Sequence, residues 1–373
     1  MRANSSRQKC RTIVLNNSSS IPHSLVIRCG SLSLQRHSHC LVFLMRRLSS
    51  FFLKSHHFPY KTLSLPPRRP HMSSRPRKIV VVMGPTGCGK TKLSIDLISR
   101  FFPSSEIINS DKIQVYRGLD ITTNKIPLPD RRNVRHHLLG DFDPSDSHPE
   151  FTPSDFRSAA SQAVSQILAR RRIPFIVGGS NSLIYALLAN KFNPDCDVFT
   201  QADSAFCKEQ RYECCFIYVD VALPVLNQYL IKRVDDMLES GMFEELAAYF
   251  ASPESESVRE SGLRKAIGVP EFEGYFRRFK GEGWRSGDDD VEKKEVYEEA
   301  VGAIKDNTCQ LAKRQVEKIL RLRDSAGWDL KRVETTPALR AAVDGAGGRR
   351  VAEIWERQVV EPSVKIVKHF LME

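Results

Sequence analysis

Eight residues, Gly84-Pro85-Thr86-Gly87-Cys88-Gly89-Lys90-Thr91, restrict what this chain can fold into more than any other stretch. They match every fixed position of the phosphate-gripping loop G-x-x-x-x-G-K-[ST]. The flanking residues supply the setting such a loop needs. Lys78 to Met83 is a continuous apolar run rich in β-branched residues, as in a strand buried on both faces. Lys90 to Phe102 carries Leu93, Ile95, Leu97 and Ile98 at helical spacing. Strand, Gly-rich turn and helix together predict backbone N–H groups and a helix N-terminus converging on a phosphate. Lys90 then offers a point charge to the terminal phosphate, and Thr91 a hydroxyl to Mg²⁺.

The pattern continues downstream. Glu106 to Asn109, Ile173 to Val177 and Cys214 to Val219 read as further short strands. Thr152-Pro153-Ser154-Asp155 opens a helix, with Thr152 as N-cap and Asp155 closing a capping box, running to about Arg170. Pro224 to about Tyr249 is helical with a break near Gly241, and Glu295 to Arg323 is a long helix. Strands alternating with helices predict an α/β fold: a P-loop NTPase-like parallel sheet with helices on both faces. The boundaries read as a P-loop domain over 78–335, with a smaller, mostly helical, substrate-covering part at about 181–300, and a C-terminal extension over 336–373. Gly281 to Lys294, with Asp288-Asp289-Asp290, reads as an exposed acidic loop without an arguable function.

Charge is informative only by its distribution. The net charge is +12, yet residues 1–77 hold fourteen Lys and Arg and no Asp or Glu. The rest carries 42 basic against 44 acidic residues, so the folded body offers no general electrostatic case for nucleic acid. The acid-free, Ser- and Arg-rich segment 1–77 has the composition of an organelle transit peptide, with plastid placed ahead of mitochondrion. No stretch of 18 apolar residues predicts a membrane span. The nine cysteines form no CxxC pair or zinc spacing, which fits a reducing compartment.

Two features past the loop carry chemistry. Asp111 follows the second strand, at the carboxyl edge where open α/β sheets place their sites. It reads equally as the cap of a helix starting near Lys112. His136 and His137 are adjacent, so their side chains diverge and no third ligand stands near; a metal site is not expected. Asp220, ending the strand after Cys214, is a candidate to hold a metal's water in a hydrolytic enzyme.

Several segments are similar to the isopentenyltransferase family, in particular its plant adenylate branch, which makes cytokinins. They are Gly84-Pro85-Thr86, Asn109 to Tyr116, Arg135 to Gly140, and Phe151-Thr152 with Asp155-Phe156. Gly178-Gly179-Ser180-Asn181-Ser182, Arg211 to Phe216, Arg264 to Glu271 and Gln310 to Gln315 follow. The resemblance spans about residues 78 to 330 and implies transfer of a dimethylallyl group from dimethylallyl diphosphate to N6 of an adenine nucleotide. Under it the P-loop holds the donor's diphosphate with Mg²⁺, and ATP or ADP, with AMP third, is acceptor rather than fuel. Asp111 becomes the general base and Thr86 the hydroxyl beside the same amine. Lys265 and Arg264 become a second basic contact with phosphates, while Arg314 divides evenly between that role and a solvated helix face.

The tRNA-modifying branch of that family carries a large helical insertion after its Gly-Gly motif, and its eukaryotic members usually add a zinc finger. Here about 30 residues separate Asn181 from Arg211, and no Cys/His finger follows. A free nucleotide is therefore the expected acceptor. A tRNA dimethylallyltransferase, a P-loop small-molecule kinase and a nucleotide-dependent switch are the alternatives. Oligomeric state is not legible.

Overall fold

Lys78–Met83, β1, is buried from Ile79 onward because it lies in the middle of a sheet covered on both faces. The computed structural model describes residues 77–144, 150–252, 262–279 and 291–373. The candidate transit segment up to residue 76 and the acidic stretch 281–290 lie outside them. The strand β1 pairs in parallel with β4 (Ile173–Gly178) on one side and with β5 (Glu213–Asp220) on the other. Beyond β4 come β2 (Ser105–Asn109) and β3 (His136–His137); beyond β5 comes β6 (Leu330–Glu334). The order is β3-β2-β4-β1-β5-β6, parallel throughout. Every strand therefore ends on one edge, where the connecting loops can build a site.

Alternation along β1 explains its unbroken apolar sequence. Ile79, Val81 and Met83 enter the cluster on one face; Val80 and Val82 enter the cluster on the other. On the first face lie α2 (Pro153–Ala169) and α3 (Asn181–Leu188), through Phe156, Ala160, Ile167, Leu183 and Leu187. The capping box forms as the sequence predicts: the Thr152 hydroxyl accepts from Asp155 N, and the Asp155 carboxylate accepts from Thr152 N at 2.9 Å. On the other face, α1 (Lys90–Arg100) buries Leu93, Ile95, Leu97 and Ile98.

Four more helices cap the carboxyl edge. They are α4 (Leu223–Glu239), α5 (Met242–Ala251), α6 (Val269–Arg278) and α7 (Val291–Asp324). Gly241, with φ 99°, supplies the left-handed turn that separates α4 from α5, where the sequence places a break. The helix expected from Glu295 begins at Val291, so the last four residues of the expected acidic loop are helical. Phe243, Phe272, Tyr275, Phe276 and Tyr297 pack ring on ring between α5, α6 and α7, with centroids 5.3–6.3 Å apart.

The C-terminal residues, ambiguous in sequence, are part of the core. After β6, α8 (Thr336–Val343), α9 (Gly348–Trp355) and α10 (Glu361–Met372) follow, the last two joined by a π-helical turn at Glu356–Val360. Trp355, Val359, Val360 and Val367 join the cluster that holds α1. The Trp355 ring lies against the P-loop itself: a Cβ on Gly89 would sit 2.7 Å from it, and Gly89, at φ 92°, opens α1. The indole N–H donates to Asp96 on α1 at 2.9 Å. Lys92 and Arg132 also donate to Asp96, each at 2.8 Å. Burial pushes the Asp96 carboxyl up, but the Lys92 and Trp355 hydrogen bonds and the neighbouring charges outweigh it and hold the group below the usual carboxylate range.

Trp355→Ala should cost about 3–5 kcal/mol of stability, read as a lowered urea midpoint at unchanged slope. An unmoved midpoint would show that α9 does not support the loop. Because the folded Asp96 pKa is depressed, its contribution is fully present above the unfolded value of about 3.9 and is lost as pH falls through the lower folded value. Stability measured against pH should therefore fall less steeply in acid for Asp96→Asn than for the unsubstituted chain. Equal acid slopes would count against that role.

Candidate active site

Two cavities meet over the carboxyl edge of the sheet. The larger, about 910 Å³, is lined by Thr86, Gly87, Gly89, Lys90 and Thr91 of the P-loop and by Gly178-Gly179 at the end of β4. The smaller, about 360 Å³, has apolar walls from Ile113, Val234, Met242, Ile304 and Leu311, with Lys112, Lys265 and Arg314 among its polar residues. Thr86, Asp111, Arg233 and Gln315 line both. The two spaces are therefore one channel, with a phosphate-suited end at the P-loop, a second end whose apolar walls also carry cations, and shared groups between.

The P-loop is formed as the sequence predicts. Gly84, Pro85 and Cys88 are buried beneath it and contribute main chain, while the Cys88 thiol faces the core and burial pushes its pKa up. The Lys90 ammonium donates to Pro85 O at 2.6 Å, which holds it across the loop. The first N–H groups of α1 have no partner inside the helix and open towards the cavity, as at any helix start.

Asp111 satisfies both of its readings at once. Its Oδ1 accepts from Ile113 N at 2.9 Å and Gln114 N at 3.1 Å, so it does cap the turn after β2. It also lines both cavities, and Oδ2 makes no hydrogen bond to the described residues. The capping bonds fix the carboxylate and leave one oxygen facing the channel. The Gly178-Gly179 pair makes this placement sterically feasible. A Cβ on Gly178 would lie 2.0 Å from Ser110 O, and one on Gly179 would lie 2.5 Å from the Gln315 amide nitrogen.

Sequence reasoning missed two residues at the junction. Arg233, on α4, donates to the Thr86 hydroxyl at 3.1 Å; its Nε is buried without a partner, and no carboxylate among the described residues pairs with it. Burial pulls its pKa below that of a free guanidinium. A half-buried guanidinium with an enclosed, unpartnered Nε suits an anion arriving from outside. Gln315, on α7, accepts from Thr86 N at 2.7 Å, and its own main-chain carbonyl accepts from Asn181 Nδ2 at 3.0 Å. A signal was available for both. Leu226, Leu230 and Arg233 share one helical face, as do Thr308, Ala312, Gln315, Ile319 and Leu322. A long polar side chain on an otherwise buried stripe is the mark of a site.

Other expectations divide. Lys265 and Arg314 line the smaller cavity. Arg264 does not line either: its guanidinium turns to Glu273 on α6, because successive residues of the turn at Gly262–Lys265 point different ways. Asp220 is not in the channel. Its Oδ1 accepts from Tyr218 OH and Val221 N, and its Oδ2 from Arg332. It ties β5 to β6 and is spent as a metal-water ligand. His136 and His137 indeed diverge. His137 pairs with the buried Glu106 at 2.7 Å, and His136 donates through Nδ1 to Val134 O at 2.8 Å.

Comparison with known proteins places this arrangement. A family model described as IPP transferase matches residues 114–210 and 197–319. An adenylate isopentenyltransferase of Humulus lupulus is 56% identical over 78% of this chain and 90% of its own length. The chain belongs to the IPP transferase family. It is a prenyltransferase. Two relatives from Arabidopsis thaliana are adenylate isopentenyltransferase 1, chloroplastic, and adenylate isopentenyltransferase 7, mitochondrial. The first is 50% identical over 80% of this chain and 83% of its own; the second is 42% identical over 79% and 80%. Among solved structures, a eukaryotic dimethylallyltransferase acting on tRNA superposes with a TM-score of 0.59 at 24% identity, covering 79% of each chain. The tRNA isopentenylpyrophosphate transferase of Bacillus halodurans gives 0.54 at 24%, covering 75% of this chain and 100% of its own. These two likenesses establish the fold.

Arg233→Met should weaken binding of inorganic diphosphate by about 10- to 100-fold, the worth of a hydrogen bond to a charged group. Calorimetry would read it, and undiminished affinity would mean the guanidinium faces no anion.

Proposed function

We propose that this enzyme transfers the dimethylallyl group of dimethylallyl diphosphate to N6 of ATP or ADP, releasing diphosphate, as the first step of cytokinin synthesis. The observation that carries the reading is Asp111: a carboxylate with one oxygen anchored and the other open, between a phosphate cradle and a cavity with apolar walls and a set of cations. A phosphoryl-transfer enzyme has little need of an apolar chamber at this point. An enzyme joining a prenyl carbon to a purine nitrogen needs both.

In this mechanism the donor's diphosphate lies on the P-loop, against Lys90 and the start of α1. The bond between the prenyl carbon and the diphosphate oxygen breaks, and the N6 lone pair forms the new bond. Lys90, Arg233 and the loop amides take up the negative charge that collects on the leaving diphosphate. The proton leaving N6 passes to the free oxygen of Asp111. Thr86 is held from both sides, by Arg233 at its hydroxyl and Gln315 at its amide. Its hydroxyl hydrogen is thereby directed into the junction.

Mg²⁺ fits the larger cavity. Thr91 presents an exposed hydroxyl there, and Asp236 an exposed carboxylate with no ion pair among the described residues. No group of three His, Cys, Asp or Glu among the described residues forms a metal site by itself. Mg²⁺ is commonly held in that way, by few protein oxygens completed by phosphate and water. When bound it would neutralise the diphosphate.

Organellar import accords with the basic, acid-free residues 1–77 and with the chloroplastic and mitochondrial relatives. We place the enzyme in the plastid.

Protein trimmed near Arg75, given donor and Mg²⁺, should prenylate ATP and ADP, AMP less well, and tRNA not at all. Product on tRNA alone would overturn the acceptor, and release of ADP from ATP would favour a kinase. Asp111→Asn should lower kcat by about 10²–10⁴, the usual worth of a general base. Full turnover in that variant would remove Asp111 from the role.

A further inference from the structure

The mouth of the smaller cavity holds an ion cluster that the reaction does not use. Glu150 accepts from Lys265 Nζ at 2.7 Å and, in a shorter contact, from Lys112 Nζ. Both lysines line the cavity, whereas Glu150 stands behind them and does not. The other two cations of that wall, Arg233 and Arg314, make no ion pair among the described residues. Of the four cations that line this cavity, only Lys112 and Lys265 have a carboxylate among the described residues, and it is the same one. The hydrogen bonds from Lys112 and Lys265 hold the Glu150 carboxyl below the usual range, so it is an anion at neutral pH.

The cluster is built from fixed parts. Lys112 follows Asp111 on the capped turn, and its N–H donates to the Ser180 hydroxyl at 3.1 Å. Glu150 precedes Phe151, which is buried and whose N–H donates to the Tyr116 hydroxyl at 2.6 Å. The same hydroxyl lies against Gly262, where a Cβ would sit 2.2 Å away, and Gly262 begins the turn that ends in Lys265. One buried tyrosine therefore sets the main-chain positions on either side of the Glu150–Lys265 pair.

We infer that Glu150 is a specificity-determining residue for the acceptor, a resident counter-ion that the phosphate tail of an adenine nucleotide must displace from Lys112 and Lys265. This rests on reading the smaller cavity as the nucleotide's. Half-exposed ion pairs hold weakly in water, so a phosphate chain can take the ammonium groups from the carboxylate. The carboxylate remains at the rim and repels the tail in proportion to the tail's charge. Its presence keeps the rim from gripping long tails tightly, and it therefore compresses the difference in affinity between a triphosphate and a monophosphate.

The test is acceptor kinetics with the full set of site residues intact except one. Glu150→Gln should lower the KM for ATP about three- to tenfold, that for ADP less and that for AMP least, with kcat nearly unchanged. Glu150→Asp, which keeps the charge, should stay close to the unsubstituted enzyme. Added salt should shrink the ATP effect. Lys112→Gln should move the ATP KM the opposite way. An ATP KM that is unchanged or raised in Glu150→Gln would overturn the inference, as would an equal drop for all three nucleotides. Failure of the functional reading looks different: the unsubstituted enzyme would then prenylate no adenylate. In that case calorimetric binding of ATP and AMP to the same variants still decides on Glu150, by whether the substitution strengthens ATP more than AMP.

Discussion

Thr86 is the point at which the two halves of the site are fastened together. Its amide hydrogen bonds to Gln315 of α7, and its hydroxyl accepts from Arg233 of α4. Neither partner belongs to the strand, loop and helix that make the phosphate cradle. In a bare strand-loop-helix unit the third loop residue has no such ties. Here its two polar groups fix the helical cap over the carboxyl edge of the sheet, and the channel exists because that cap stands off at this distance. The interaction also has a cost. Arg233 is half-buried with an enclosed, unpartnered Nε, and desolvation of that kind is tolerated where a ligand completes it.

Support for the cradle comes equally from behind. The ring of Trp355 fills the space that a side chain at Gly89 would occupy, and its N–H joins Lys92 and Arg132 on Asp96. The start of α1 is thus clamped between substrate space on one side and the C-terminal helices on the other. A loop whose task is to meet charge as it develops gains from such rigidity, since donors already in place need no reorganisation during the reaction. Residues 336–373 are accordingly part of the same packed body as the P-loop.

What was legible in the sequence follows from how local each feature is. The P-loop, the capping box at Thr152 and Asp155 and the break at Gly241 depend on residues a few positions apart, and each forms as predicted. Asp111 was half legible. Its cap is local, but its second role needs β4 alongside, with Gly178 to let Ser110 approach and Gly179 to let Gln315 approach. The C-terminal helices are short and owe their place to Trp355, Val359 and Val360 packing on α1, a contact across more than half the chain. Asp220 misled because a strand-end carboxylate looks the same in sequence whether it faces the cavity or the neighbouring strand. The partner that claims it, Arg332, lies on β6, far along the chain.

That loss of Asp220 to the sheet edge bears on why a loop associated with nucleoside triphosphate hydrolysis serves another chemistry here. Hydrolysis at a P-loop requires a cradle for the phosphates and a separate group that places water for attack. The cradle needs only backbone amides, a lysine and a helix end. It recognises diphosphate whatever is attached to it, and it stabilises diphosphate best when the charge is greatest, which is after the attached group has gone. With Asp220 bound to Tyr218 and Arg332, the carboxylate that lines both cavities is Asp111. A carboxylate so placed is suited to take a proton from a nucleophile bound between the two cavities. The same cradle then acts on a leaving group, and the identity of what departs from it is set by the walls opposite.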